Sequence, residues 1–355
     1  MSEGSALRFG LFFQAPEAAG QTHAARYAEM FDLIGLADTL GFDVAWLAEL
    51  HFGGAFSLLS SPLMSVPVIA QRTRRIRIGT AVSLLPLEHP LRSAEQAATA
   101  DLLSGGRLEL GVGRGSIPSQ FHGFGVSVAE NRARFDEALQ IIRLAWTQER
   151  VSFRGAFYQV EDVAVVPRPV QQPHPPLRIA VHTPESFAHV AATGLPIYSG
   201  TTTTPLPLLR ECMALYRARL AAAGHAWRED QMALMFPIHV GVGGTSARDA
   251  MRPGVRKYYE NLRTIFSQLP DSYADHLPRL RIIEETLANL PYEKFFHDQA
   301  VFGDAAEVVD RLQAARDEFG LSQIIGWFDQ GSMLPREEAE LAMRRFAEHV
   351  MPKLA

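Results

Sequence analysis

Short apolar runs closed by Gly, Pro or charged residues alternate along this chain with longer stretches of 3.6-residue apolar periodicity. Runs this short read as strands buried on both faces, so the alternation predicts repeated βα units. Leu7 to Phe13 is the first strand, followed by a helix from about Ala24 to Leu40 that stops at Gly41, a residue able to take a left-handed C-terminal cap. Asp43 to Leu47, Ile76 to Leu84 and Arg107 to Gly113 continue the strand series, separated by helices over Pro62 to Gln71 and Pro90 to Leu103. After a helix from Ala129 to Trp146, Val151 to Val166 alternates like a small hairpin and runs into the Pro-rich connector Pro167 to Pro176. Leu177 to Val181, Leu195 to Tyr198, Met232 to Val242 and Ser322 to Trp327 bring the strands to eight. Their helices are Ser186 to Ala192, Leu206 to Ala223, Ala305 to Phe319 and Glu337 to Val350. Thr245 to Asp298 is too long for a plain connection and carries helical periodicity, which places extra helices over one end of the molecule, as a lid or a structural excursion.

Eight βα units form either a closed barrel or an open doubly wound sheet, and periodicity does not separate them. The distinction has to come from motifs. Gly111-Val112-Gly113 meets Ser116 where a third glycine belongs, and Gly241-Val242-Gly243 meets Ser246, so a dinucleotide fingerprint is absent. That disfavours a Rossmann site without closing the sheet; the expectation at this point is an α/β fold in one domain over residues 1–355, with insertions at about 150–176 and 244–300.

Composition narrows the function. At 47% hydrophobic and 21% charged the chain can bury a large core. The net charge of −5, without a Lys/Arg run, argues against nucleic acid as a partner. Cys212 is the only cysteine, which rules out an internal disulfide or a cysteine zinc site. Met1-Ser2-Glu3-Gly4 opens no signal peptide and no apolar run approaches ~18 residues, so a cytoplasmic protein without a membrane anchor is expected. The twelve histidines form no His-Glu-x-x-His pair, and no metal site is expected; nucleophile-elbow and P-loop motifs are missing too.

Three segments fall at predicted C-terminal strand ends, the face on which barrel active sites are built. They are Ala45-Trp46-Leu47-Ala48-Glu49-Leu50-His51-Phe52, Gly79-Thr80-Ala81-Val82-Ser83-Leu84-Leu85-Pro86-Leu87-Glu88-His89-Pro90, and Ser104-Gly105-Gly106-Arg107-Leu108-Glu109-Leu110-Gly111-Val112-Gly113-Arg114-Gly115. Together with the weaker Val181-His182-Thr183-Pro184-Glu185-Ser186 and Val301-Phe302-Gly303-Asp304, their order resembles the bacterial luciferase-like superfamily of flavin-dependent monooxygenases. The resemblance implies that the chain is a single (β/α)8 TIM barrel and a two-component enzyme. FMN reduced by a separate flavin reductase (FMNH2) would activate O2 as a C4a peroxide and oxygenate a small organic substrate, in a homodimer. Hydride transfer with the deazaflavin F420, and a flavin-binding partner subunit without its own chemistry, are the alternatives on the same scaffold.

Residue by residue, the resemblance puts Arg114 on the FMN phosphate, a role a guanidinium fills with two charge-assisted bonds. A surface ion pair is the plainer role. Thr183 and Ser186, at a helix start, match phosphate-contacting hydroxyls and would equally serve as N-terminal caps. Thr80, Ala81 and Val82 match the place of a non-prolyl cis peptide beneath the flavin ring. His51 is the candidate catalytic residue, since imidazole exchanges protons near neutral pH; a strand-end histidine satisfied by Glu49 is the alternative. The luciferases proper carry two adjacent histidines here, and Leu50 occupies the first position; Gly113 stands where they have a reactive cysteine. Leu50, Phe12, Phe13 and Trp327 are the candidates for the substrate pocket, against a plain core role.

Overall fold

The computed structural model describes residues 6–267 and 277–355. The apolar runs become β1 (Arg8–Phe13), β2 (Val44–Leu47), β3 (Arg77–Thr80), the short β4 (Ser83–Leu84) and β5 (Leu108–Gly113). The hairpin β6 (Val151–Arg154) and β7 (Gln159–Val163) stands apart, followed by β8 (Leu177–Ala180), β9 (Ile197–Gly200), β10 (Met232–Val240), β11 (Val301–Gly303) and β12 (Gln323–Trp327). The interleaved helices are α1 (His23–Leu40), α2 (Pro62–Arg72), α3 (Pro90–Leu103), α4 (Pro118–Gly123), α5 (Asn131–Thr147), α6 (Pro184–Ala191) and α7 (Leu206–Ala222). Then come α8 (Gly244–Ser267), α9 (Leu277–Asn289), α10 (Tyr292–Asp298), α11 (Ala305–Phe319), α12 (Arg336–His349) and α13 (Met351–Leu354).

Parallel pairing runs β1-β2-β3-β5-β8-β9-β10-β12 and returns to β1, Arg8 lying beside Gln323. The eight-stranded barrel is therefore closed, as expected. The extra helices of the late insertion are α8, α9 and α10; residues 268–276 within it, and the opening Met1 to Gly4, lie outside the described residues.

Strand side chains alternate between two environments, as a period of two requires. Phe12, Trp46, Tyr198, Met235, Ile325 and Trp327 share the barrel interior. Leu11, Ala45, Leu47, Leu234, Phe236 and Ile324 pack outward on the helices. This alternation corrects one expectation. Phe13 follows Phe12 by one residue, faces away from the interior, and lines a small recess with Met30, Asp329 and Met343.

Trp46 is 1% exposed inside the barrel, and glycines on neighbouring strands make room for it. A Cβ at Gly79 would stand 2.3 Å from its ring, and one at Gly10 3.0 Å. At the opposite end, buried Glu109 accepts from Arg8 at 2.6 Å and Arg77 at 2.7 Å. Burial alone would raise its carboxyl, but the two guanidinium groups hold it below the usual range.

Just past β12, the Asp329 carboxylate accepts from the Leu334 N–H at 3.2 Å. Burial pushes its pKa up to about 7, with Glu29 acting the same way and Leu334, Arg26 and Ser332 opposing. A carboxyl raised above its unfolded value favours the folded state while protonated; that contribution is whole below the ordinary value of 3.8 and is lost progressively as pH rises to about 7. Asp329→Asn is expected to remove this loss, so its melting temperature should fall less than the parent's as pH rises from 3.8 to about 7. Parallel melting curves for the two proteins over that pH range would refute the assignment.

Candidate active site

A cavity of about 700 Å³ opens at the C-terminal ends of the barrel strands, walled by Phe12, Val82, Gly113, Tyr198 and Trp327 and covered by Tyr258 and Tyr259 of α8 and Ile283 of α9. Barrel active sites are built on this face because the strand-end loops converge there. Its two ends differ in chemistry.

One end is cationic. Arg114 leaves β5 directly after Gly113, and Gly115 turns the chain at φ +77°. Arg114 is partly buried and has no hydrogen-bond or ion-pair partner among the described residues. Burial, then the neighbouring Arg132, pushes its pKa down. Arg132 itself pairs with Glu185 at 2.6 Å. Thr183, the N-cap of α6, lines the cavity beside Arg114. A partly desolvated guanidinium with no bonded partner among the described residues, felt by Glu185 and Asp136 only at a distance and close to a helix N-terminus, is the donor set a phosphate monoester requires. The residues present therefore fit an FMN phosphate. Ala81 and Val82, joined by a cis peptide bond, form part of the wall between that end and the aromatic rings.

The acidic group is Glu49, the one carboxylate among the described residues lining the cavity. Glu49 also lines a second, more polar cavity of about 200 Å³, shared with His51, Ser83, Glu88 and Gln96. His51 Nε2 lies 3.2 Å from Glu49 Oε1, and the Leu84 N–H points at the same oxygen from 3.4 Å. Burial pushes the Glu49 carboxyl up, against the lowering influence of His51 and Leu84. The Ser83 hydroxyl is buried without a hydrogen-bond partner among the described residues.

Arg114, Thr183, Ala81, Val82, Leu50, Phe12 and Trp327 are thus brought to one cavity. Four other sequence candidates lie elsewhere. His51 lines the second cavity, behind Glu49, with its ring 4.8 Å from that of Phe124. Thr80 is fully buried and donates to the Gly111 carbonyl at 2.6 Å. Ser186 is occupied in the α6 capping box: its hydroxyl accepts from His182 N and Thr183 N, each at 3.0 Å, and donates to Thr183 O. Phe13 faces outward, as above. Sequence reasoning missed Glu49 as a cavity group, along with Tyr258, Tyr259 and Gln299. A carboxylate between two apolar residues, Ala48 and Leu50, was the signal for the first; for the others, on helices beyond the barrel strands, there was none.

The luciferase-like monooxygenase family model matches residues 7–323. The protein y4wF of Sinorhizobium fredii is 34% identical over 263 residues, covering 74% of this chain and 75% of that protein. The oxygenase component of flavin-dependent trigonelline monooxygenase from Acinetobacter baylyi is 27% identical over 354 residues, covering 98% of this chain and 95% of its own length. Among solved structures, the monooxygenase RslO1 from Streptomyces bottropensis superposes with a TM-score of 0.82 at 28% identity, over 98% of this chain and all of the other. With the closed barrel, the strand-end cavity and a family match over most of its length, this chain is an enzyme that belongs to the luciferase-like monooxygenase family.

Proposed function

We propose that the protein is the oxygenase of a two-component system: it takes up FMNH2 made by a separate reductase and inserts one oxygen atom of O2 into a small organic substrate. The observation that carries this reading is Arg114, without a hydrogen-bond or ion-pair partner among the described residues and partly buried, lining with Thr183 a large, mainly apolar cavity. The Acinetobacter relative, by its name the oxygenase component of a flavin-dependent monooxygenase, supports the division of labour. The reading carries a cytoplasmic location and a homodimer with it.

When bound, reduced FMN supplies the two electrons and two protons of the balance in which FMNH2, O2 and substrate give FMN, water and oxygenated substrate. The chain's residues do the rest. Arg114 and Thr183 hold the phosphate, and Ala81 and Val82 carry the ring. The apolar walls exclude water, which protects reactive oxygen from wasteful release. Glu49 holds a proton at the cavity surface, burial having raised its carboxyl above the usual range, and His51 behind it replenishes that proton from the second cavity.

The test is to load the protein with FMNH2 without oxygen, mix it with oxygenated buffer, and follow the return of oxidised FMN absorbance. Return much slower than for free FMNH2 supports the reading; return at the free-flavin rate, or turnover with F420 in the absence of oxygen, overturns it. Arg114→Ala is expected to weaken FMN binding by about 2 kcal/mol, roughly thirtyfold, the worth of charge-assisted bonds to phosphate. Flavin fluorescence titration measures it, and unchanged affinity would remove Arg114 from the phosphate site.

A further inference from the structure

We propose that the outer half of the cavity selects an uncharged, ring-containing substrate bearing a hydroxyl or carbonyl group, and that Gln299 and Tyr259 read that group. The inference rests on the reading of Arg114 as the phosphate end, which leaves the opposite end for substrate.

The aromatic side chains at that end form one connected array. Phe12 meets Trp327 edge to face at 5.3 Å, Tyr258 meets Trp327 at 5.4 Å, and Phe56 lies 5.7 Å from Tyr258. Tyr259 continues it at 5.3 Å from Tyr258. Perpendicular rings present both faces and edges, the surface on which a flat guest ring gains stacked and edge-on contacts together; a flexible alkyl chain gains only area. The charged groups of the cavity and its histidine, Glu49, Arg114 and His182, come from the barrel loops, and among the described residues α8 and α9 add only tyrosines, a threonine and apolar side chains to it. A substrate carboxylate or ammonium placed there would be desolvated without a counter-ion, which costs far more than ring contacts return.

Among the polar side chains on this surface, Thr286 turns its hydroxyl to the Ile282 carbonyl, and the Tyr259–Gln299 pair offers a donor to a guest. The Tyr259 hydroxyl donates to Gln299 Oε1 at 3.3 Å, and both side chains line the cavity. The Gln299 backbone is held on both sides, its carbonyl by the Thr201 hydroxyl and its N–H by the Phe295 carbonyl at 2.9 Å. With its carbonyl oxygen engaged by Tyr259, the Gln299 amide N–H2 has no partner among the described residues and can donate to a guest oxygen. A single held donor beside an aromatic array fits an oxygen substituent at the edge of a ring.

Calorimetry on the chain saturated with oxidised FMN tests this with 2-naphthol, naphthalene, 2-naphthoate and decanal. We expect 2-naphthol to bind more tightly than decanal and at least about tenfold more tightly than 2-naphthoate, the penalty for burying an unpaired charge. Gln299→Ala should weaken 2-naphthol about fivefold, as for one lost hydrogen bond, and leave naphthalene unchanged. Tyr259→Phe, which keeps the ring, should act in the same direction. Equal or tighter binding of 2-naphthoate or decanal, or an equal loss for naphthol and naphthalene, overturns the proposal. FMN affinity is measured first. If FMN does not bind, the flavin reading fails separately, and the same probes compared on flavin-free Arg114→Gln protein, without the competing cation, still decide the substrate class.

Discussion

Glu49→Gln is expected to lower oxygenation turnover by about a hundredfold, the usual worth of a positioned general acid or base, while leaving FMN affinity within about twofold. Turnover is read as incorporation of isotopically labelled O2 into product, and affinity by flavin titration. Glu49 is the one carboxylate among the described cavity-lining residues and is pressed toward its protonated form by burial. The amide keeps the shape and the contact with His51 but cannot release a proton. The sign of the pH dependence follows. Since the Glu49 pKa is raised, the donating form persists to higher pH than in a free carboxyl, and turnover that needs it falls as pH rises through that pKa. His51 pulls the carboxyl down, so His51→Gln should raise the Glu49 pKa further and move the falling limb to higher pH, with a smaller loss of rate. A structural role for the pair would lower turnover at every pH without moving the limb, and that outcome would sink the proton assignment.

The sequence carried the barrel well because its strands are buried on both faces and end at clear punctuation. Gly41 closes α1 at φ +90°, and Asp304 with Glu307 forms the reciprocal cap of α11. Those signals are local. The placement of Phe13 was also within reach, since a neighbour of the inward Phe12 on a regular strand has to face out. His51 was not. β2 ends at Leu47, and once the chain leaves the strand, parity no longer assigns faces. Ala48 and Leu50 turn to the large cavity, Glu49 reaches both, and by Phe52, at φ +61°, the backbone has bent away. Ser186 and Thr183 showed the same signal for a cap and for a phosphate site; both hydroxyls are engaged in the cap, Ser186 with three partners and Thr183 with the Ser186 N–H and hydroxyl, and Thr183 is the one that lines the cavity. The cover over the mouth was legible as helices, but which of their tyrosines face inward depends on how α8 docks, a tertiary fact without a local signature.

The glycines of the third segment invite the idea of a backbone bared for a cofactor, and for Gly111 the structure gives another reason. A Cβ there would lie 2.1 Å from the Thr80 carbonyl oxygen and 3.3 Å from the Trp46 ring. Thr80 is in turn tied to Gly111 by its own hydroxyl at 2.6 Å, so the two backbones have no freedom to part. Gly111→Ala is therefore expected to destabilise the fold by about 3 kcal/mol or more, at the upper end for overpacking, because the obstructing atom is main chain. Gly79→Ala meets the Trp46 side chain at 2.3 Å, and Gly10→Ala meets it at 3.0 Å, so their costs should fall in that order. Denaturant unfolding measures all three. Trp46→Leu should rescue much of the Gly79→Ala loss and little of the Gly111→Ala loss, a difference a double-mutant cycle resolves. Because Thr80 leads directly into Ala81 and Val82, a displaced Thr80 carbonyl would shift the cavity wall as well. Gly111→Ala protein that still folds should then bind FMN more weakly with Arg114 untouched, whereas equal rescue of both alanine variants by Trp46→Leu would show that Trp46 alone sets the spacing of these strands.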